Sequence, residues 1–146
     1  MANWQYNAMQ DLREYQAVKD SLVSIPEELK ALEIDMQLVR GTSYDKSPVQ
    51  GGASGREDRL IDYIDKKGRL TENLQAAAIR VRRIERGLAG LTDNERLVLH
   101  RFFVSREHGH VDRLCQELGY EQAQIYRIQK MALKKFTLSM FGVVDL

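Results

Sequence analysis

Apolar residues in the first forty positions of this chain recur in steps of three and four. Over residues 8–40 they form one seam without a miss: Tyr15, Val18, Leu22, Ile25, Leu29, Leu32, Met36 and Val39. This heptad spacing predicts a long helix that packs against another long helix. Pro26 interrupts the seam without changing its phase. Because Ser24 and Glu27 around it match a capping box, we expect a kink or a brief break there.

A second seam follows over residues 56–88, broken only at Lys67: Leu60, Tyr63, Leu70, Leu74, Ala77, Val81, Ile84 and Leu88. Between the seams, residues 41–55 contain four glycines, a proline and three serines, a composition that predicts a flexible loop. Residues 1–90 are therefore predicted to form an antiparallel helical hairpin. Two helices alone leave apolar flanks uncovered, so we expect this coiled-coil region to form a homodimer or a higher homo-oligomer.

Three shorter helical patterns follow the hairpin. Thr92 and Glu95 form a capping box that opens the first, and the apolar residues of 111–118 and 122–136 define the other two. Gly119 stands between the last two, where a tight turn requires a residue that tolerates positive φ. The prediction is a C-terminal three-helix domain over residues 91–146 with a helix-turn-helix. The fold class predicted for the whole chain is all-α.

Charge distribution suggests what the last helix contacts. Residues 122–136 carry four basic residues and no acidic one, and residues 56–146 carry seventeen basic against thirteen acidic residues. A basic outer face in front of an apolar inner stripe is typical of a helix that enters the major groove of double-stranded DNA. The simpler alternative is an ordinary helical hairpin with a solvated basic face.

The early outward positions of a recognition helix reach base edges, and later ones reach phosphates. The predicted base contacts are Gln122, Ala123, Gln124, Tyr126 and Arg127. The predicted phosphate contacts are Arg113, Lys130, Lys134 and Lys135. A further basic cluster, Arg80, Arg82, Arg83 and Arg86, ends the second long helix. Favourable interaction with the helix dipole is the preferred explanation of that cluster, and contact with phosphates is the alternative.

No constellation of residues predicts catalysis, a cofactor or an enzyme, because no serine or cysteine has a basic partner at a recognisable spacing. The three histidines, His100, His108 and His110, lie near Cys115 and could in principle bind zinc. A thiol at that position of a short helix fits better as a compact apolar group, so no metal is predicted. A single cysteine, with no signal pattern and no long apolar run, predicts a cytoplasmic protein without membrane contact.

The stretch GLTDNERLVLHRFFV, followed after a loop by DRLCQELGYEQAQIYRIQKMALKKF, resembles region 4 of bacterial sigma factors, in which L-x-x-x-E-R-x-V-L precedes the helix-turn-helix. With the hairpin in front, the chain is similar to phage-encoded sigma-factor region-4-like regulators of the ArpU and RinA type. The resemblance implies a transcription regulator, an activator of late phage genes that acts with host RNA polymerase in the bacterial cytoplasm. The chain departs from the sigma pattern at Glu121, where a serine or threonine is usual, and in the glutamines and tyrosine of its outer face.

A second function fits the same organisation. A small terminase subunit, which recognises packaging sites on phage DNA, also joins a helical oligomerisation region to a helix-turn-helix. The two alternatives differ in assembly, because a terminase subunit forms large closed rings and the regulator is expected to be a dimer.

Overall fold

The computed structural model describes residues 3–42 and 52–144, with side chains described for residues 3–39 and 55–144. All regular structure in this part of the chain is helical: α1 (Asn3–Thr42), α2 (Gly52–Ala89), α3 (Asp93–Leu99), a π-helical turn (His100–Val104), α4 (His110–Leu118) and α5 (Gln122–Phe141). The all-α prediction is therefore confirmed. None of the described helices combines the length and the apolar character needed to cross a membrane.

Both long helices extend further than the seams predicted. Helix α1 begins before residue 8 and helix α2 begins at Gly52, so both reach into the loop predicted over residues 41–55. The rest of that predicted loop, residues 43–51, lies outside the described residues. Helix α5 continues to Phe141, past the predicted end at residue 136, and Gly142 ends it with a positive φ of 78°.

Helix α1 runs through Pro26 without a break. The Ser24 hydroxyl donates a hydrogen bond of 3.2 Å to the carbonyl of Asp20, one turn earlier, so this side chain does not cap a new helix. The capping box predicted from Ser24 and Glu27 is therefore wrong. Proline removes one backbone donor from the ladder. Because Leu22 and Leu29 remain half-buried on either side of it, the apolar seam continues unbroken across the proline.

The chain divides into two compact units. Unit 1 comprises Met1–Lys19 and Ile79–Leu146, and unit 2 comprises Asp20–Ala78. The predicted boundary at residue 90 thus falls inside unit 1. The reason is that the first turns of α1 and the last turns of α2 share an apolar core with the C-terminal helices.

Every helical element contributes to the core of unit 1. Its buried members are Ala8, Leu12, Ile84, Leu91, Val98, Leu99, Phe102, Phe103, Val111, Leu114, Ile125, Ala132, Leu133 and Phe136. Full burial of one large apolar side chain stabilises a fold by about 1.5–3 kcal/mol. At the edge of this core Arg80 of α2 contacts two carboxylates of α1, Asp11 at 3.0 Å and Glu14 at 2.9 Å.

The described residues of unit 2 all belong to the remaining parts of α1 and α2. The predicted seam positions there, such as Leu29 and Leu74, are half-buried. Leu60, the first position of the second seam, is exposed, and so are several large apolar side chains outside the seams: Val23, Ile34, Leu38, Ile61 and Ile64. The seam positions of unit 2 are thus only partly covered, and these other apolar side chains are in solvent.

Helices α2 and α5 approach closely at Gly87, which is buried. A Cβ atom at this position would lie 2.7 Å from Cδ2 of Phe136 and 3.0 Å from Cγ of Met140. Both distances are shorter than an ordinary van der Waals contact. Gly87 is thus required by packing, since only a residue without a side chain lets the Phe136 ring lie against the backbone of α2.

We expect Gly87→Ala to lower the free energy of unfolding, because the overpacking cost of about 1–3 kcal/mol exceeds the gain of about 1 kcal/mol in helix propensity. The matched control is Gly68→Ala in the same helix, where nothing lies within 4 Å of the added Cβ. The control should raise the free energy of unfolding. Urea unfolding followed by circular dichroism measures both. A Gly87→Ala protein as stable as the Gly68→Ala protein would contradict the packing argument.

Candidate nucleic-acid interface

Helix α3 begins with the predicted capping box. The amide N–H of Glu95 donates to the Thr92 hydroxyl at 3.2 Å, and the Thr92 amide donates to the Glu95 carboxylate at 3.0 Å. The same carboxylate receives the ammonium group of Lys135 at 3.0 Å. This one side chain therefore caps α3 and links it to α5.

The π-helical turn after α3 sets two aromatic rings behind the last helix. Its wider hydrogen bond runs from the Ser105 amide to the His100 carbonyl at 2.8 Å. Phe102 and Phe103 are consecutive, and both are buried. The Phe102 ring meets Tyr126 of α5 edge-on, with centroids 5.7 Å apart, and meets His110 of α4 in the same way at 4.7 Å.

The turn between α4 and α5 has the conformation that its sequence predicts. Gly119 has a φ of 73° and its amide donates to the Cys115 carbonyl at 2.9 Å. Glu121, the residue before α5, has an extended conformation, and its side chain makes no capping hydrogen bond. Its carbonyl accepts from the amides of Gln124 and Ile125 at 3.0 and 3.1 Å. A backbone turn, rather than a side-chain cap, starts the helix.

Helix α5 presents two different faces. Ile125, Ala132, Leu133 and Phe136 are buried in the core of unit 1. The opposite face is exposed and contains residues spaced by three and four, as one side of a helix requires: Arg127, Lys130, Lys134, Leu138 and Phe141. An acid-free basic face therefore stands in solvent, on a helix held from behind.

The predicted base-contacting residues lie in the first two turns of α5. Gln122, Ala123, Tyr126 and Arg127 are exposed, and Gln124 is half-buried. The Gln124 amide oxygen accepts from the Arg127 guanidinium at 3.3 Å. Gln124 therefore orients Arg127, a relation that the sequence analysis did not predict.

The predicted phosphate-contacting residues fall into two groups. Lys130 and Lys134 are exposed and pair with no carboxylate among the described residues. Arg113 forms an ion pair with Glu107, and Lys135 pairs with Glu95. In the second group a phosphate would have to compete with a carboxylate already in place.

Phe102 and Phe103 were expected on the apolar face of the helix that Thr92 opens, but their contacts behind this face were not predicted. Phe102, which lies behind Tyr126, follows a helix pattern that gives no sign of a π-helical turn. Phe103 lies under the guanidinium of Arg13, at 5.9 Å from Cζ to the ring centroid. The sequence carried no signal for the π-helical turn, because Val98 and Leu99 are also consecutive and buried in the regular helix α3.

Within residues 3–42 and 52–144 no three or more histidine, cysteine, aspartate or glutamate side chains gather as a metal site would require. Cys115, expected to be buried, is half-buried against the core. Comparisons of the chain with protein-family models, with curated proteins and with solved structures find no match.

The carboxyl group of Glu95 has an altered acidity. Burial raises its pKa, but the hydrogen bonds from Thr92 and Lys135 outweigh burial, so the pKa of Glu95 lies below its usual value. A carboxylate whose pKa is lower in the folded state stabilises the fold above the unfolded pKa. That contribution is lost as the pH falls through the folded pKa.

We therefore expect Glu95→Gln to be less stable than the wild type at neutral pH, and the difference to shrink as the pH falls below the ordinary carboxyl pKa of 4.5. Urea unfolding at a series of pH values measures the difference in free energy. Glu121→Gln, which removes a carboxylate without a capping bond, is the matched control. A difference for Glu95→Gln that is constant down to acidic pH would show that its charge contributes nothing.

Proposed function

We propose that this chain is a sequence-specific DNA-binding transcription regulator whose α4–α5 pair acts as a helix-turn-helix. The observation that carries the proposal is the outer face of α5, where Arg127, Lys130 and Lys134 stand exposed on a helix segment without acidic residues. A helix of about 10–12 Å diameter fits the major groove of B-DNA, which is about 12 Å wide.

Specific recognition would come from the first two turns of α5. Glutamine can bond adenine through two atoms and arginine can bond guanine in the same manner, and each such pair discriminates by about 1–3 kcal/mol. Arg127 is the strongest candidate, because it is exposed in the first two turns of α5 and its guanidinium can bond guanine through two atoms. Tyr126 and Ala123 provide apolar surface of the kind that contacts a thymine methyl group. The Tyr126 ring is 51 % exposed, yet Phe102 limits its movement from behind.

Affinity without sequence preference would come from Lys130 and Lys134. Each cation that neutralises a phosphate releases counterions, so these two residues contribute to the salt dependence of binding. Arg113 and Lys135, which already contact carboxylates, would contribute less.

Unit 2 is proposed to form the homodimer interface. Its half-buried seams and its exposed Ile34, Leu38, Ile61 and Ile64 give it apolar surface that a second copy can cover. A dimer would present two copies of α5, and a regulator of this kind binds two half-sites about one helical turn apart or a multiple of it.

The activator role rests on the resemblance to sigma region 4 and to the phage regulators of the ArpU and RinA type. In this proposal the protein acts in the cytoplasm of a bacterial host, requires no cofactor and is not an enzyme. It recruits host RNA polymerase, which must supply the DNA melting. A bound activator needs a second surface that favours polymerase binding, and the exposed side of α3 with the hairpin is the candidate.

Arg127→Ala should abolish preference for one operator while binding to unrelated DNA persists. The operator is first selected from a pool of random duplexes with the wild-type protein, and both affinities are then measured by fluorescence anisotropy. Loss of one bidentate guanine contact corresponds to about 1–3 kcal/mol of specificity. Arg69→Ala, at an exposed position of α2, is the matched control and should keep the operator preference.

Equal loss on the operator and on unrelated DNA would mean that Arg127 contacts only the backbone. A purified transcription reaction on a template with the selected operator extends the test. Stimulation of the adjacent start by the wild type, but not by Arg127→Ala, supports the activator. Operator binding that leaves transcription unchanged but stimulates a large terminase would instead support the packaging alternative.

We expect the wild-type protein to be a dimer in light scattering at tens of micromolar. Leu74→Glu places a charge in an apolar seam and should convert it to a monomer, because an unpaired charge is costly in an apolar contact. Gln75→Glu, at the exposed neighbouring position, is the matched control and should remain dimeric. A monomeric wild type would remove the assembly role from unit 2, and a closed ring would favour the terminase alternative.

A further inference from the structure

A second basic surface of unit 1 lies outside the helix-turn-helix. Near the end of α2 an open groove is lined by Ile79, Arg82, Arg83 and Arg86. These side chains project from the face of α2 opposite its buried residues Val81 and Ile84. The groove therefore concentrates arginines around one apolar side chain.

Neighbouring charges explain only part of this cluster. Arg80 contacts Asp11 and Glu14 and is accounted for by the core edge. Arg83 and Arg86, in contrast, pair with no carboxylate among the described residues. The helix dipole acts within the last turn, which contains Arg86 but not Arg83. Neither a carboxylate partner nor the helix dipole therefore explains Arg83.

Arg83 adjoins the basic face of α5. Its guanidinium lies over the ring of Phe141, with Cζ 5.5 Å from the ring centroid. Phe141 is the last member of the exposed stripe that begins with Arg127 and includes Lys130 and Lys134. The extension of α5 beyond its predicted end brings this ring under Arg83.

We propose that Arg83 and Arg86 bind the phosphate backbone of the same DNA duplex whose major groove receives α5. This inference rests on the proposed function and names a second contact with that partner. From Arg127 to Phe141 the helix advances about 21 Å at about 1.5 Å per residue. In a helix-turn-helix the N-terminal residues of this helix contact the base edges, so the far end of the stripe lies away from those bases and adjoins the backbone in the proposed complex.

The side chains of the groove favour the phosphates of a DNA backbone over the carboxylates of an acidic protein. Guanidinium groups bind phosphate oxygens through two parallel hydrogen bonds, and stacking on an aromatic ring leaves the N–H groups at the guanidinium edge available. Phe141 acts as a positioning residue in this arrangement. Continuity with the exposed lysines of α5 distinguishes the DNA backbone from an acidic protein, which would require no such continuity.

The test measures how DNA affinity changes with salt. Binding of a fluorescent mixed-sequence duplex, several helical turns long, is followed by anisotropy between about 50 and 200 mM salt. Each arginine that contacts a phosphate contributes about 1 to the slope of log affinity against log salt, so Arg83→Gln/Arg86→Gln should reduce the slope by about 2 for each protomer bound to the DNA. Arg59→Gln/Arg69→Gln removes the same charge from exposed positions of unit 2 and should leave the slope unchanged.

A charge-retaining pair separates phosphate contact from packing. Arg83→Lys/Arg86→Lys should keep most of the slope, since lysine also neutralises a phosphate. If this pair loses as much as the glutamine pair, altered packing is the cause and the proposal is wrong. An unchanged slope for the glutamine pair, or an equal reduction for the Arg59 and Arg69 pair, also overturns it.

A separate pair of substitutions tests the proposed function. Lys130→Gln/Lys134→Gln tests the face of α5 in the same titration. If that pair reduces the slope while Arg83→Gln/Arg86→Gln does not, α5 binds DNA and only the second contact is wrong. A wild-type protein that does not bind the duplex at all contradicts both proposals.

Discussion

The contact between the Phe136 ring and the bare backbone of Gly87 determines how the C-terminal helices are held. The absent side chain lets α2 and α5 approach closely enough for Phe136 to be fully buried. Close packing of this kind leaves no room for additional atoms, because protein interiors are about as dense as organic crystals. The orientation of α5, and therefore of everything on its outer face, follows from that fit. A bulkier residue at either position would move the recognition surface as well as weaken the core.

Acidic side chains in unit 1 form ion pairs with basic side chains, and these pairs connect parts of the fold. Glu95 holds Lys135, Asp11 and Glu14 hold Arg80, and Glu117 holds Arg101 at 3.1 Å. Arg127, Lys130 and Lys134 on the outer face of α5, and Arg83 and Arg86 on α2, pair with no carboxylate among the described residues. Opposite charges are therefore separated by location, which explains how a chain of net charge +1 can offer a strongly basic surface. The net charge of the chain therefore does not reveal the basic surface, because ion pairs neutralise the basic side chains in some places and not in others.

Much of this arrangement could be predicted from local pattern. The two seams, the Thr92 capping box and the positive φ at Gly119 each depend on residues close in sequence, and each was predicted. The hydrogen bond of Ser24 within α1 and the π-helical turn before Ser105 involve near neighbours, but the sequence there fits more than one hydrogen-bond pattern, and the tertiary structure decides between them. The ion pair between Lys135 and Glu95, which are forty residues apart, was not predicted. The same applies to Arg83, since its neighbour Phe141 lies more than fifty residues away.

Unit 1 is assembled from two segments that are far apart along the chain, with residues 20–78 between them. Leu12 belongs to the same core as Phe136, so synthesis from the ribosome exposes the first segment long before its partner exists. Domains generally fold as units as the chain emerges, and here closure must await the last helix. The entropy of joining distant ends grows only slowly with separation, by about 0.6 kcal/mol for each doubling. An α1–α2 hairpin that forms early would bring the two segments of unit 1 close together before the last helix is complete. The middle of the chain would thus reduce the entropy that is lost when its two ends associate.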